Sequence, residues 1–193
     1  MLAILLFLQT LSLQAFTTVV IDAGHGGHDR GGIPGQKMAE KVYALDVSKR
    51  VEKLLSRAGL KTVMTRSRDV FVPLATRCSI ANSKRDAIFV SIHFNSGYRV
   101  GANGIETFSY GSEGRRLSAY IHRRMKRAVP FEDRGLKRRG FYVLRNTKPP
   151  AVLVECGFLT NPAEARMIRS SRYRQKIAVA IAAGILDYRR ARH

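Results

Sequence analysis

The sequence predicts a single-domain α/β fold, with a twisted, mostly parallel central sheet of about six strands flanked by helices. Short apolar or β-branched runs alternate with longer segments of helical periodicity along the chain. At 193 residues, the chain has the size of one domain with one buried core. Hydrophobic residues make up 45% of it, which excludes disorder over most of its length.

Residues 17–21 (TTVVI) read as a buried strand meeting a loop at Asp22-Ala23-Gly24. Six glycines fall within residues 24–35, so the backbone there must turn tightly or approach something closely. Residues 38–58 have helical periodicity: Val42, Leu45, Val51, Leu54 and Leu55 share a face, and Gly59 is a suitable stop. Residues 61–65 read as a strand, and Pro73 opens a helix reaching residue 83. Residues 87–92 (AIFVSI) form an apolar strand with His93 at its end. Residues 104–110 (GIETFSY) alternate as a strand, and residues 114–128 form a basic amphipathic helix. Strands are expected at 141–144 and 151–155 (AVLVE), and helices at 162–168 and 171–189. No repeat, low-complexity linker or second domain interrupts this order.

Residues 1–15 (MLAILLFLQTLSLQA) are apolar, too short to span a bilayer, and end in a small residue. We read them as a signal peptide ahead of one folded domain at 16–193, which implies export to the periplasm or cell envelope. A buried N-terminal segment and an uncleaved anchor are the alternatives, since no basic residue precedes Arg30. The formal net charge is +20, a field that attracts nucleic acid, anionic lipid or an anionic wall polymer, or else a solvated basic surface. Cys78 and Cys156 are too few for a disulfide framework, no CxxC pair exists, and spacing does not decide whether they pair.

Sites in open α/β sheets gather beyond the carboxyl ends of strands. His25 follows the first strand, His93 ends the third, Glu155 ends AVLVE, and Glu40 lies near the start of the first long helix. Two His and one carboxylate form a common catalytic zinc set with a position open for water, whose pKa zinc lowers to about 7. A second carboxylate then accepts the proton of that water, and Glu155, after four apolar residues, suits this: burial raises a carboxyl pKa. His28 in the same loop is a rival ligand, and Glu106 on its apolar strand is the strongest rival to Glu155. His122, among Arg and Lys, reads as a surface residue.

The run Val20 to Asp29 (VIDAGHGGHD) resembles the opening motif of zinc-dependent N-acetylmuramoyl-L-alanine amidases of the third amidase type. Thr65-Arg66 with Asp69, then Leu74 and Arg77, is similar to that family's TR-x-x-D and L-x-x-R stretches. Ser91 to Asn95 (SIHFN) and Val152 to Asn161 (VLVECGFLTN) resemble two further motifs, and the likeness runs over nearly all of the chain after the signal. It implies one zinc ion held by His25, Glu40 and His93, with Glu155 catalytic, and it leaves His28 out. It implies cleavage of the amide between N-acetylmuramic acid and L-alanine of peptidoglycan; a monomer, with no nucleic-acid partner favoured, is expected beside it. Asp22 is expected to orient the His25 loop or a ligand, Arg66, Asp69 and Arg77 to form ion pairs nearby, and Asn95 to hold His93 or the loop.

Some members of that family carry a long helical insertion that plugs the zinc. Here the stretch between residues 110 and 151 holds one basic helix and a Gly/Arg/Lys segment at 134–140, with Glu132 the one plausible plug. No autoinhibitory insertion is therefore expected. Arg115, Arg116, Arg123, Arg124, Lys126 and Arg127 of the basic helix are expected either to meet anionic stem peptides or wall, or to form a solvated face. The competing class is a non-enzymatic basic module for nucleic acid or anionic membrane. It lacks the aromatic residues that single-strand binders interleave with cations.

Overall fold

The first strand, β1 (Thr18–Ala23), is buried along its whole length, which places it inside the sheet rather than at an edge. The computed structural model describes residues 16–99 and 101–192, so the expected signal peptide lies outside the described residues. After β1 come α1 (Glu40–Arg57), β2 (Lys61–Met64), α2 (Leu74–Asn82), β3 (Ala87–Asn95) and β4 (Ile105–Ser109). Then follow α3 (Ser112–Ala128), β5 (Asp133–Arg138), α4 (Tyr142–Arg145), β6 (Ala151–Phe158), α5 (Pro162–Arg169) and α6 (Ser171–Arg190).

The strand order is β2-β1-β3-β6-β4-β5. The first four are parallel; β4 runs antiparallel to β6, and β5 parallel to β4. The start of β4 therefore lies beside the carboxyl-terminal half of β6, so a residue early in β4 reaches the end of the sheet where α/β sites form.

Side chains alternate between the two faces of a strand. Val19, Ile21, Ile88, Val90, Ile92, Val152 and Val154 point into a large core sealed by α1, α3 and α6. Val20, Phe89 and Leu153 point the other way, into a smaller core under α2 and α4. The same alternation puts Asp22, Ser91, His93 and Glu155 on the thinly covered face, and there the site lies.

Two expectations are corrected. Residues 141–144 are not a strand; they fall in α4, a single turn whose Val143 and Leu144 are buried. A short apolar run does not discriminate strand from helix. The remaining strand is β5, in the Gly/Arg/Lys segment for which no strand was expected. Among the described residues it pairs with β4 alone, at the edge of the sheet, and such edge strands carry charge because charge discourages further pairing. The third and last strands also continue to Asn95 and Phe158, so His93 and Glu155 sit within the ladder, in register with each other.

Candidate metal centre

The loop after β1 brings His25 to the end of the sheet. His25 has a φ of 60°, a left-handed conformation that costs a non-glycine residue energy and clusters at functional sites. Two glycines make room. A Cβ on Gly24 would lie 2.4 Å from the His93 ring, and one on Gly31, whose φ is +69°, would lie 2.7 Å from Glu40 Oε2. Glu40 opens α1 and is buried, although a carboxylate is rarely buried without partners.

Its partners are the two histidines. His25 Nε2 lies 3.0 Å from Glu40 Oε2, and His93 Nδ1 lies 2.8 Å from Oε1, which also accepts the Phe94 backbone N–H at 3.0 Å. One potential ligand atom from each of His25, Glu40 and His93 lies within 4.8 Å of the others. Burial would raise the Glu40 carboxyl, but the hydrogen bonds from both histidines outweigh it and hold the group at about 2. Burial opposes charge on both imidazoles, yet Glu40, with Asp29 at His25, raises them above the usual range.

Glu155 faces this cluster from the neighbouring strand. Its Oε2 is buried and has no hydrogen-bond partner among the described residues. Burial, reinforced by the negative Glu40 and Glu106 and opposed by His93, pushes its carboxyl up to about 8. Buried polar atoms are normally satisfied, so an orphan beside a ligand cluster points to function. A cavity of about 590 Å³ opens over His25, Glu40, His93 and Glu155.

The surrounding residues fall out differently from expectation in part. Asp29 holds the far nitrogen of His25, with Oδ2 2.8 Å from Nδ1, and so aims Nε2 at the cluster. Sequence reasoning assigned Asp29 no role, although a carboxylate four residues from a candidate ligand His is a usable signal. Asp22 works at one remove. It accepts hydrogen bonds from Thr65, Ser91 and Arg77, and Arg77 in turn donates to the His25 carbonyl at 2.8 Å.

Among the described residues Arg66 forms no ion pair; it donates to the carbonyls of Ala23, Gly24, Lys41 and Arg68 and so ties down the loop. Asp69 pairs with Lys41 at 2.6 Å. Asn95 holds the loop rather than His93, donating to Glu106 and accepting from the Ser96 N–H.

His28 lies outside the cluster and packs on Phe71. Glu106 is buried and fully engaged with Asn95, Arg134 and Lys137. His122 is not on the surface. It is buried between Thr107 Oγ1 at 2.9 Å and Asp133 Oδ1 at 2.7 Å, because it belongs to the stripe by which α3 packs on the sheet. Glu132 does not line the site cavity, and neither does any residue of α3. Arg124 and Lys126 are committed to Asp187 and Asp133. Cys78 and Cys156 are both free.

Residues 19–187 match the family model described as N-acetylmuramoyl-L-alanine amidase. Protein YqiI of Bacillus subtilis (strain 168) is 41% identical over 89% of this chain and 84% of its own length. The N-acetylmuramoyl-L-alanine amidase LytC of the same organism is 37% identical over 90% of this chain but only 36% of its own length. Thus the chain spans most of the first relative and about a third of the second. The catalytic domain of CwlV, an N-acetylmuramoyl-L-alanine amidase from Bacillus (Paenibacillus) polymyxa var. colistinus, superposes with a TM-score of 0.83. That structure is 36% identical, and the match covers 89% of this chain and 97% of that domain. These similarities do not favour the nucleic-acid or membrane module.

Proposed function

Because the chain belongs to the N-acetylmuramoyl-L-alanine amidases, a family of peptidoglycan hydrolases, we propose that it hydrolyses the amide joining N-acetylmuramic acid to L-alanine of the stem peptide. The observation that carries this reading is the free Glu155 Oε2 beside the His25, Glu40 and His93 cluster.

The donor set fits zinc: two imidazoles and one carboxylate meet, and the second nitrogen of His25 is held by Asp29. His25, Glu40 and His93 would hold one zinc ion. Bound there, zinc supplies Lewis acidity toward the scissile carbonyl and lowers the pKa of water to about 7. Glu155 accepts the proton of the attacking water at Oε2 and delivers it to the leaving amine of L-alanine. Its burial suits both duties, because a desolvated carboxyl holds a proton more tightly than an ordinary one and can carry it to the amine. Arg77 and Arg66 hold the His25 loop in place while this happens.

The test is release of free stem peptide from peptidoglycan by purified protein, together with elemental analysis. We expect one zinc per chain and loss of activity with chelator. A His25→Ala or His93→Ala variant that keeps full zinc content sinks the ligand assignment. The substrate lies outside the cytoplasm, and no helix of the described residues is long and apolar enough to cross a membrane. Export on residues 1–15 to the periplasm or cell envelope, action during cell division, and a monomeric state complete the proposal. N-terminal sequencing of secreted protein tests the first, and sedimentation the last.

A further inference from the structure

A second cavity, of about 750 Å³, adjoins the catalytic one. Ile33 lines both, and the consecutive residues Ser96 and Gly97 line one each. Its walls come from residues 33–38, the turn after β3, and α5 with the residues just before it. Met38, Leu159 and Ala165 give it an apolar floor. Four cations, Lys37, Arg99, Arg166 and Arg169, stand around it, all exposed, and no Asp or Glu lines it.

These cations differ from many others in the chain. Arg50 and Arg174 are committed to Asp46, Lys41 to Asp69, Arg124 to Asp187 and Lys126 to Asp133. Among the described residues, the side chains of Lys37, Arg99, Arg166 and Arg169 make no ion pair and no hydrogen bond. Four uncommitted like charges around one cleft repel one another, and a carboxylate between them relieves that repulsion. Guanidinium groups also match carboxylates with paired hydrogen bonds. In contrast, the catalytic cavity is walled by the exposed apolar residues Phe71, Leu74, Phe141 and Tyr142, and its one arginine, Arg77, is buried against Asp22.

We propose that the basic cleft is the peptide-side subsite, holding carboxylates of the stem peptide so that the scissile amide lies at Glu155. This rests on the amidase reading and adds to it a direction for the substrate: the peptide leaves the centre past Ile33 toward Lys37, Arg99, Arg166 and Arg169.

The test uses two soluble muramyl peptides, identical except that the stem-peptide carboxylates are free in one and amidated in the other. Exposed ion pairs contribute modestly each, so together they should lower KM for the free acid about tenfold relative to the amide, with kcat unchanged. The variant Lys37→Gln/Arg99→Gln/Arg166→Gln/Arg169→Gln should lose that tenfold preference and keep wild-type kcat on the amidated peptide, which also reports its folding. A control variant, Lys53→Gln/Arg57→Gln/Lys84→Gln/Arg85→Gln, removes the same charge before β2 and β3, at the other end of the sheet, and should keep the preference. Equal KM for both peptides in the wild type, a preference surviving in the cleft variant, or an equal loss in the control overturns the subsite. A wild type that cleaves neither peptide overturns the amidase reading instead, and the subsite with it.

Discussion

Glu155 and Glu106 stand opposite each other on neighbouring antiparallel strands, in register, and their surroundings could hardly differ more. Glu106 is encased by Asn95, Arg134 and Lys137, with Arg134 also lying over the Phe158 ring at 5.2 Å. Among the described residues, Glu155 has one oxygen with no partner, and burial pushes its carboxyl up to about 8. The residue type is the same, the sheet is the same, and only the neighbours differ. A carboxylate whose hydrogen-bonding capacity is spent on Arg and Lys has none left to take up a substrate proton. One left unsatisfied in a cavity wall does.

The largest effect that sharpens this contrast is expected from Glu155→Gln. Loss of a general base costs about 10²–10⁴-fold in rate, so kcat should fall about a thousandfold while zinc content and melting temperature hold. Activity within tenfold of wild type would remove Glu155 from the reaction.

Asp29→Asn acts one step further from the substrate. It weakens the anchor on His25 Nδ1, so zinc affinity in a chelator competition should drop about 10–100-fold while activity recovers at saturating zinc. Activity that stays low when the metal is saturated points to a role beyond orienting His25.

Glu106→Gln should do the reverse of Glu155→Gln. It leaves two half-buried cations without their carboxylate, for a destabilisation of about 1–2 kcal/mol by denaturant titration. The kcat should fall less than tenfold. A loss as deep as that of Glu155→Gln would erase the distinction between the two carboxylates.

The smallest effect is a pH reference far from the site. The hydrogen bond from Arg124 holds the Asp187 carboxyl at about 2, outweighing burial, below its usual 3.8. A carboxyl depressed by folding stabilises the protein above its unfolded pKa and loses that contribution as pH falls through the folded one. The stability difference between wild type and Asp187→Asn should therefore be full above about pH 4 and shrink toward zero near pH 2, and it should stay under about 1 kcal/mol because Asp187's partners are exposed. Guanidinium melts between pH 2 and 7 read it directly.

Much of this arrangement was legible in the sequence. Apolar runs marked five of the six strands, because buried strands are written in Val, Ile and Phe. The edge strand Asp133–Arg138 escaped because an edge needs no apolar face, and residues 141–144 misled because four apolar residues fit one helical turn as well as a strand. His122 could have been placed by period. Ser118, Ile121, His122 and Met125 form one buried stripe on α3, although the Arg and Lys around them suggest a solvated helix.

At the site, the sequence by itself named His25, Glu40, His93 and Glu155. Donor types at strand ends and a helix start brought these residues forward with His28 and Glu106 as rivals, and the resemblance of the surrounding motifs chose among them. Only the tertiary structure shows what each carboxylate touches. Asp29 against His25, Glu106 against Arg134 and Lys137, and the empty side of Glu155 all depend on groups that meet through folding. Hydrogen bonding and desolvation act over a few ångströms of space, and distance along the chain does not measure that.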